Sequence, residues 1–239
     1  MKIAVDTHSH TIASGHAYST MKEMILAGIE RGLEGMAITE HAPKMPGTCS
    51  EIYFQNYAVI PRKRGHFSLM MGVELNIMDE NGTVDLPQGI LRTMDIVIAS
   101  IHGLCYGEGK TREENTNAYL NAMKNPYIHI IGHPDDGRIP VDYEKLVRAA
   151  KETHTLLEVN NSSLRPGGFR VNTWANAKEM LEICKKEEVY ITTGSDAHVE
   201  DDAGNFKYVK KILEEVDFPE KLISTTSYEK FQSLLKKQG

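Results

Sequence analysis

A chain of 239 residues, 41% hydrophobic and 25% charged, is long enough to bury a sizeable core as one α/β domain. A formal net charge of −6 argues against a sequence-independent nucleic-acid binder, which needs a basic surface. No run approaches the ~20 apolar residues of a membrane span, and Met1–Asp6 lacks the apolar stretch of a signal peptide.

Short runs rich in Ile, Val, Leu and Met mark seven predicted strands, as expected where a parallel sheet is buried on both faces. The first, Ile3–Thr7, precedes Thr20-Met21-Lys22-Glu23, a capping box opening a helix to about Arg31. Gly35–Thr39 follows. Pro43, Pro46 and Gly47 then make a loop, and between Cys49 and Gly65 the stretch Glu51–Tyr57 reads as a short helix. Ser68–Glu74 is the third strand, and Asn81-Gly82 marks a tight turn in a small inserted hairpin. Asp95–Ile101 leads to a helix opened by Thr111–Glu114, and Ile128–Gly132 to one capped by Asp142 and running to about Glu152. Leu156–Asn160 leads to a helix from Asn172 or Thr173 to about Lys186. Val189–Gly194 is the last strand, and Thr226–Glu229 repeats the capping signature.

No repeat or linker interrupts this order, so a single domain over residues 1–239 is expected. Seven strands alternating with helices fit a closed barrel or an open doubly wound sheet. The first strand ends in Asp6-Thr7-His8-Ser9-His10 where an open sheet usually carries a Gly-rich nucleotide loop. The expected fold is therefore α/β, a distorted seven-stranded (β/α)7 TIM-like barrel.

Three cysteines, Cys49, Cys105 and Cys184, form no CxxC pair, which suits a reduced, cytoplasmic protein. Ten histidines carry more information. His8 and His10 end the first strand, with His16 just beyond. His41 ends the second, Glu74 the third, His102 the fourth and His133 the fifth, while the seventh leads into Asp196 and His198. Barrel active sites lie on the face where the strands end, so the fold brings these residues together. Residues i and i+2 of an extended segment face the same way, which pairs His8 with His10 and Asp196 with His198. Each has an ordinary reading alone, as a loop histidine, a turn residue or a helix cap. All nine at one end of successive strands is a different matter. Imidazoles and carboxylates without thiolate suit hydrolytic zinc, manganese or iron, and nine donors exceed the four that one tetrahedral zinc uses. Two or three metals follow. His129 lies ~13 Å below His133 along an extended strand and is expected to be a buried or interface histidine with a hydrogen-bond partner. His66 and His154 fall at the opposite end.

The segments Val5–His10, Ile38–His41, Gly72–Glu74, Ser100–His102, Ile131–Pro134 and Gly194–His198 resemble the PHP (polymerase and histidinol phosphatase) superfamily. With His16–Thr20, they are similar in particular to its stand-alone YcdX-type phosphatases. The resemblance implies a distorted seven-stranded barrel around a trinuclear site, usually zinc. It implies that His8, His10, Glu74 and Asp196 hold one metal, His16, His41 and His198 a second, and Glu74, His102 and His133 a third. Glu74 would bridge two ions, and Glu40 stands where many relatives have Asp.

The expected reaction is hydrolysis of a small phosphomonoester by metal-activated hydroxide, with Glu74, Asp196 and His198 as candidate catalytic residues. Arg138, Arg165 and Arg170, in loops on the site face, are candidate phosphate ligands. Asn160 and Asn161 either meet substrate or end a strand. Asp6 is either a partner for a ligand histidine or a buried carboxylate satisfied by backbone. Rival readings are a histidinol-phosphate phosphatase, a phosphodiesterase or exonuclease, an amidohydrolase, and a metal-binding scaffold. No membrane or nucleic-acid partner is expected, and a homo-oligomer is compatible with the sequence.

Overall fold

The computed structural model describes residues 1–236, so the last three residues of the expected 1–239 unit lie outside it. Among the described residues eight strands form: β1 (Val5–Asp6), β2 (Gly35–His41), β3 (Lys63–Arg64), β4 (Phe67–Asn76), β5 (Ile96–Ser100), β6 (Ile130–Ile131), β7 (Leu156–Asn160) and β8 (Ile191–Gly194). The order is β1-β2-β4-β5-β6-β7-β8, all parallel, with β3 paired antiparallel to the start of β4 at Phe67 and Ser68. The sheet curls back on itself. Asp196 N–H donates to His8 O at 2.8 Å and His10 N–H to Ala197 O at 2.9 Å, joining the two ends beyond β1 and β8. The result is a nearly closed seven-stranded barrel, the fold expected. The pair β3 was not foreseen, because two exposed basic residues carry no periodicity.

Along the strands, alternate residues enter two different buried clusters. Val5, Ala37, Met70, Ile96, Ile98, Ile130 and Leu156 fill the barrel's lower interior, sealed by Phe231. Met36, Ile38, Leu69, Met71, Val97, Leu157 and Val159 point outward beneath the helices. Above the inner apolar layer the same inward rows continue as Thr39 and His41, Glu74 and Asn76, Glu158 and Asn160, all buried. The barrel is thus dry below and polar above.

The helices are α1 (Met21–Glu30), α2 (Glu51–Gln55), α3 (Gln88–Leu91), α4 (Gly103–Tyr106), α5 (Arg112–Ala122), α6 (Tyr143–Thr153), α7 (Thr173–Glu187), α8 (Lys207–Glu215) and α9 (Tyr228–Leu234). Thr20 and Thr111 make the expected capping boxes with Glu23 and Glu114, and Asp142 caps α6 through Lys145 N–H. Two caps differ. Ser227, not Thr226, caps α9 through Lys230 N–H, because Thr226 is absorbed in a preceding 3-10 turn. Asn172 stands at the start of α7 in the left-handed region and its side chain makes no capping bond. At Asn81-Gly82 the inserted hairpin forms, with Ile77 bridging Val84. Among the described residues, no helix is long and apolar enough to cross a membrane.

Candidate metal centre

The nine predicted donors do converge above the apolar layer. Among the described residues three trios have donor atoms within 4.8 Å of one another: His8, His10 and Glu74; His10, His41 and His198; and His41, Glu74 and His102. His133 Nε2 lies 2.9 Å from Glu74 Oε1, and Asp196 Oδ1 lies 3.7 and 3.4 Å from the Nε2 atoms of His8 and His10. His16 is in none of the trios, but its Nε2 is 3.2 Å from His41 Nε2. His133 and Asp196 have positive φ, 28° and 54°, a backbone conformation uncommon for non-glycine residues.

Hydrogen bonds at the far side of each ring decide which nitrogen is free. His8 Nδ1 meets Glu158 Oε1 at 2.8 Å, so it bears a proton. Ser14 Oγ donates to Glu40 Oε2 at 2.6 Å, and therefore accepts from His10 Nδ1 at 3.2 Å. His102 Nδ1 donates to Asn76 Oδ1 at 2.7 Å and His198 Nδ1 to its neighbour's carbonyl, Asp196 O, at 3.0 Å. This is how proteins orient metal-bound imidazoles. It leaves the Nε2 lone pairs of His8 and His10 facing each other at 3.1 Å. Positive charge must lie there, either as a proton on His8 or as a metal ion in its place.

The charge pattern agrees. Burial would lower the pKa of His8, yet Glu158, Glu74 and Asp196 raise it well above the ordinary value. Burial likewise opposes ionisation of Glu74 and Asp196, but surrounding imidazoles, and Arg170 for Asp196, hold both carboxyls well below the usual range. Burial and the neighbouring His41 and His198 keep His10 neutral, its pKa well below normal.

A divalent ion fits this donor set. His8 Nε2 and His10 Nε2 lie 3.1 Å apart, and each lies 3.4–3.7 Å from Glu74 Oε2 and from Asp196 Oδ1. A four-coordinate ion with bonds near 2.0–2.1 Å spaces its ligands about 3.3 Å apart. Nearby, His41 Nδ1 and Glu74 Oε2 approach to 2.8 Å without hydrogen-bond alignment, and both atoms are buried with no hydrogen-bond partner. Unsatisfied buried donors or acceptors are rare enough to require an explanation, and a bound cation supplies one.

The arginines divide. Arg170 is buried, its Nη1 3.1 Å from Asp196 Oδ2. Arg138 is clamped by Asp136 and Arg165 by Asp202 at the rim. All three line one cavity of about 810 Å³ together with His16, His41, His102, His133, Asp196 and His198. Asn161 Oδ1 accepts from Tyr208 and Val209 N–H at the start of α8, so it holds structure. Asn160 braces Glu158 and Asp196. Asp6 takes the N–H groups of His8, Ser195 and Gly204, the backbone alternative. His129 Nδ1, far below, accepts from Val97 N–H.

Sequence reasoning missed Glu158. Its Oε2 also accepts from His133 N–H at 2.8 Å, so one buried carboxylate fixes two candidate ligands. The signal was present: a carboxylate inside the apolar strand Leu-Leu-Glu-Val-Asn needs a partner. Ser14 and Asn76 were likewise not foreseen as orienting groups; Glu40, whose supporting role the sequence left open, receives Thr11 N–H and Oγ–H and Ser14 Oγ–H.

Comparison with known proteins agrees with this geometry. Residues 6–165 match the PHP domain model. A probable phosphatase of Caldicellulosiruptor bescii is 45% identical over all of this chain and 98% of its own length. One of Acetivibrio thermocellus is 46% identical, covering 100% and 97%. The crystal structure of histidinol phosphate phosphatase from Lactococcus lactis, complexed with zinc, L-histidinol and phosphate, shares the fold. Its TM-score is 0.64 at 19% identity, covering 92% of this chain and 95% of that one. Matched over most of its barrel by the family model and over its whole length by these relatives, the chain belongs to the PHP domain family.

Proposed function

We propose that this chain is a metal-dependent phosphatase that hydrolyses small phosphomonoesters at a trinuclear centre, zinc being favoured over manganese or iron. The observation that carries the proposal is the pair of Nε2 lone pairs facing each other inside two carboxylates. The probable phosphatases among its relatives support the reaction class. His8, His10, Glu74 and Asp196 would hold one ion, His16, His41 and His198 a second, and Glu74, His102 and His133 a third. Glu74 Oε2 faces His8 and His10 while its Oε1 faces His102 and His133, which supports Glu74 as the group shared between the first and third sets.

Bound divalent ions supply a hydroxide near neutral pH and positive charge against phosphoryl oxygens. The chain's own residues do the rest. Glu158, Ser14 and Asn76 fix ring orientation before substrate arrives, and the apolar layer below keeps bulk water from the barrel interior. Arg170, buried against Asp196, presents a fixed guanidinium to a phosphoryl group, with Arg138 and Arg165 further out. The closing seam brings Asp196 and His198, beyond β8, beside His8 and His10, beyond β1, so that both pairs would serve one space.

The test is metal content and ester choice in one protein preparation. Reconstituted protein should hold two to three equivalents of zinc or manganese and cleave nitrophenyl phosphate faster than bis-nitrophenyl phosphate. One equivalent or fewer would end the multinuclear reading. Diester preference at every metal and pH would favour the nuclease reading instead.

A further inference from the structure

The cavity above the metal centre is larger than a phosphoryl group requires, at about 810 Å³. Its outer wall has an unusual make-up. Leu104 of α4 and Phe169 of the loop after β7 both line it, yet stand 80% and 68% exposed. Strand order places their loops on either side of the β6 loop that carries Arg138. Ile101, Met45 and Val199 extend the same apolar lining. Phe169 is not a loose surface ring: the guanidinium carbons of Arg138 and Arg170 sit 4.8 and 5.2 Å from its centroid. Two cation–π contacts hold it in place.

Charge completes the description. The outer arginines offer no surplus positive charge, because Asp136 neutralises Arg138 and Asp202 neutralises Arg165. Glu108 also lines the cavity and pairs with no cation among the described residues. An anionic leaving group would face a wall that is neutral to negative. An apolar one would cover Leu104 and Phe169.

We propose that this outer wall is a leaving-group subsite for an uncharged aromatic moiety, so that the favoured substrates are phosphate monoesters of aralkyl alcohols. The proposal rests on the phosphatase reading for the position of the phosphoryl group. Phe169 contributes a ring edge and face, and Leu104 the opposing apolar contact.

Binding and turnover test it separately. Phenethyl, butyl and carboxypropyl phosphonates are titrated calorimetrically into metal-loaded protein, and the matching phosphate esters are assayed for hydrolysis. Burying most of a phenyl ring is worth about a factor of ten in affinity over the butyl compound, and the carboxylate compound should bind weakest. In Leu104→Asn, and again in Phe169→Leu, the phenethyl-to-butyl ratio should fall to about threefold or less. Equal binding of phenethyl and butyl phosphonates, or preference for the carboxylate, would overturn the subsite. A ratio that survives both substitutions would overturn it too. Hydrolysis without aromatic preference would sink the subsite and leave the phosphatase reading standing. Aromatic preference in binding with no ester hydrolysed would do the reverse.

Discussion

Glu158 Oε1 lies 2.8 Å from His8 Nδ1, tying β7 to the residues beyond β1 across the barrel interior. The carboxylate is fully buried, and each of its oxygens faces donors: His8 on one, His133 N–H and Asn160 Nδ2 on the other. Gly194 on β8 leaves it room, since a Cβ there would overlap Oε1.

Glu158→Gln keeps the shape but turns an amide NH2 toward N–H donors on one side. The expected result is a loss of metal affinity of about 10–100-fold. Stability should also drop by about 1–3 kcal/mol from the misdirected donor. Competition with a chromogenic chelator and denaturant melts of metal-saturated protein read the two effects. Unchanged affinity would show that His8 is held by β1 and the closing seam alone.

Much of this centre was legible because the candidate ligands follow apolar runs, as where Ile131 gives way to Gly132-His133. The strand ends were found to within a few residues for the same reason. The orienting groups were harder. Ser14 acts on His10 only because the 3-10 turn Ile12–Ser14 folds it back, and Asn76 reaches His102 only because β4 and β5 are adjacent. Pairings that depend on neighbouring strands have no spacing in sequence. Asp6 shows the converse: a carboxylate next to the HxH motif looks like a ring partner, yet three backbone N–H groups claim it.

His129 and Glu74 are both buried polar residues on barrel strands or their approaches, but they should fail differently. Glu74→Gln removes the carboxylate contacted by His8, His10, His41, His102 and His133, and turnover should fall by at least about 100-fold along with metal content. His129→Ala should leave turnover nearly intact and cost about 1–3 kcal/mol by orphaning Val97 N–H. Its pH signature is specific. Burial, with Lys236 nearby, lowers the His129 pKa from 6.5 to about 4, so the folded state resists protonation that the unfolded chain accepts. That contribution is full above about pH 6.5 and is lost as pH falls toward 4, up to about 3 kcal/mol. Unfolding free energies of wild type and variant at equal metal loading, taken from neutral pH to mild acid, should converge. Parallel curves would mean that His129 is not neutral in the fold.

Arg170 and Arg165 make a second contrast. Arg170→Ala leaves Asp196 short of a buried cation and should raise KM for phosphate esters and lower kcat together, by about 10–100-fold in kcat/KM. Arg170→Lys keeps the charge but not the planar fork, and should recover only part of the loss. Arg165, 60% exposed on its bond to Asp202, should change kcat/KM by no more than about threefold when replaced by Ala. Steady-state kinetics with inorganic phosphate as inhibitor give the ranking. Arg165 outranking Arg170 would move the phosphate seat to the rim.

Activity should decline with acid before the barrel unfolds. Imidazole binds metal only when neutral, and seven histidines are proposed ligands, so several protons compete with the ions at once. His8 sets the sign most clearly. Glu158, Glu74 and Asp196 outweigh burial and raise its pKa well above the ordinary value, so a proton competes with an ion for its Nε2. Ion binding must expel that proton, and calorimetry in buffers of different ionisation enthalpy should detect its release. As pH falls, the same exchange runs backward. Burial and neighbouring imidazoles hold His10 and His16 below their usual pKa, which delays protonation at those positions and makes ion loss stepwise. The logarithm of activity should therefore fall with a slope steeper than one per pH unit, tracking metal content, while circular dichroism stays constant. A slope of one with every ion still bound would assign the acid limb to a single titrating proton donor. Loss of activity only together with the circular dichroism signal would assign it to global unfolding.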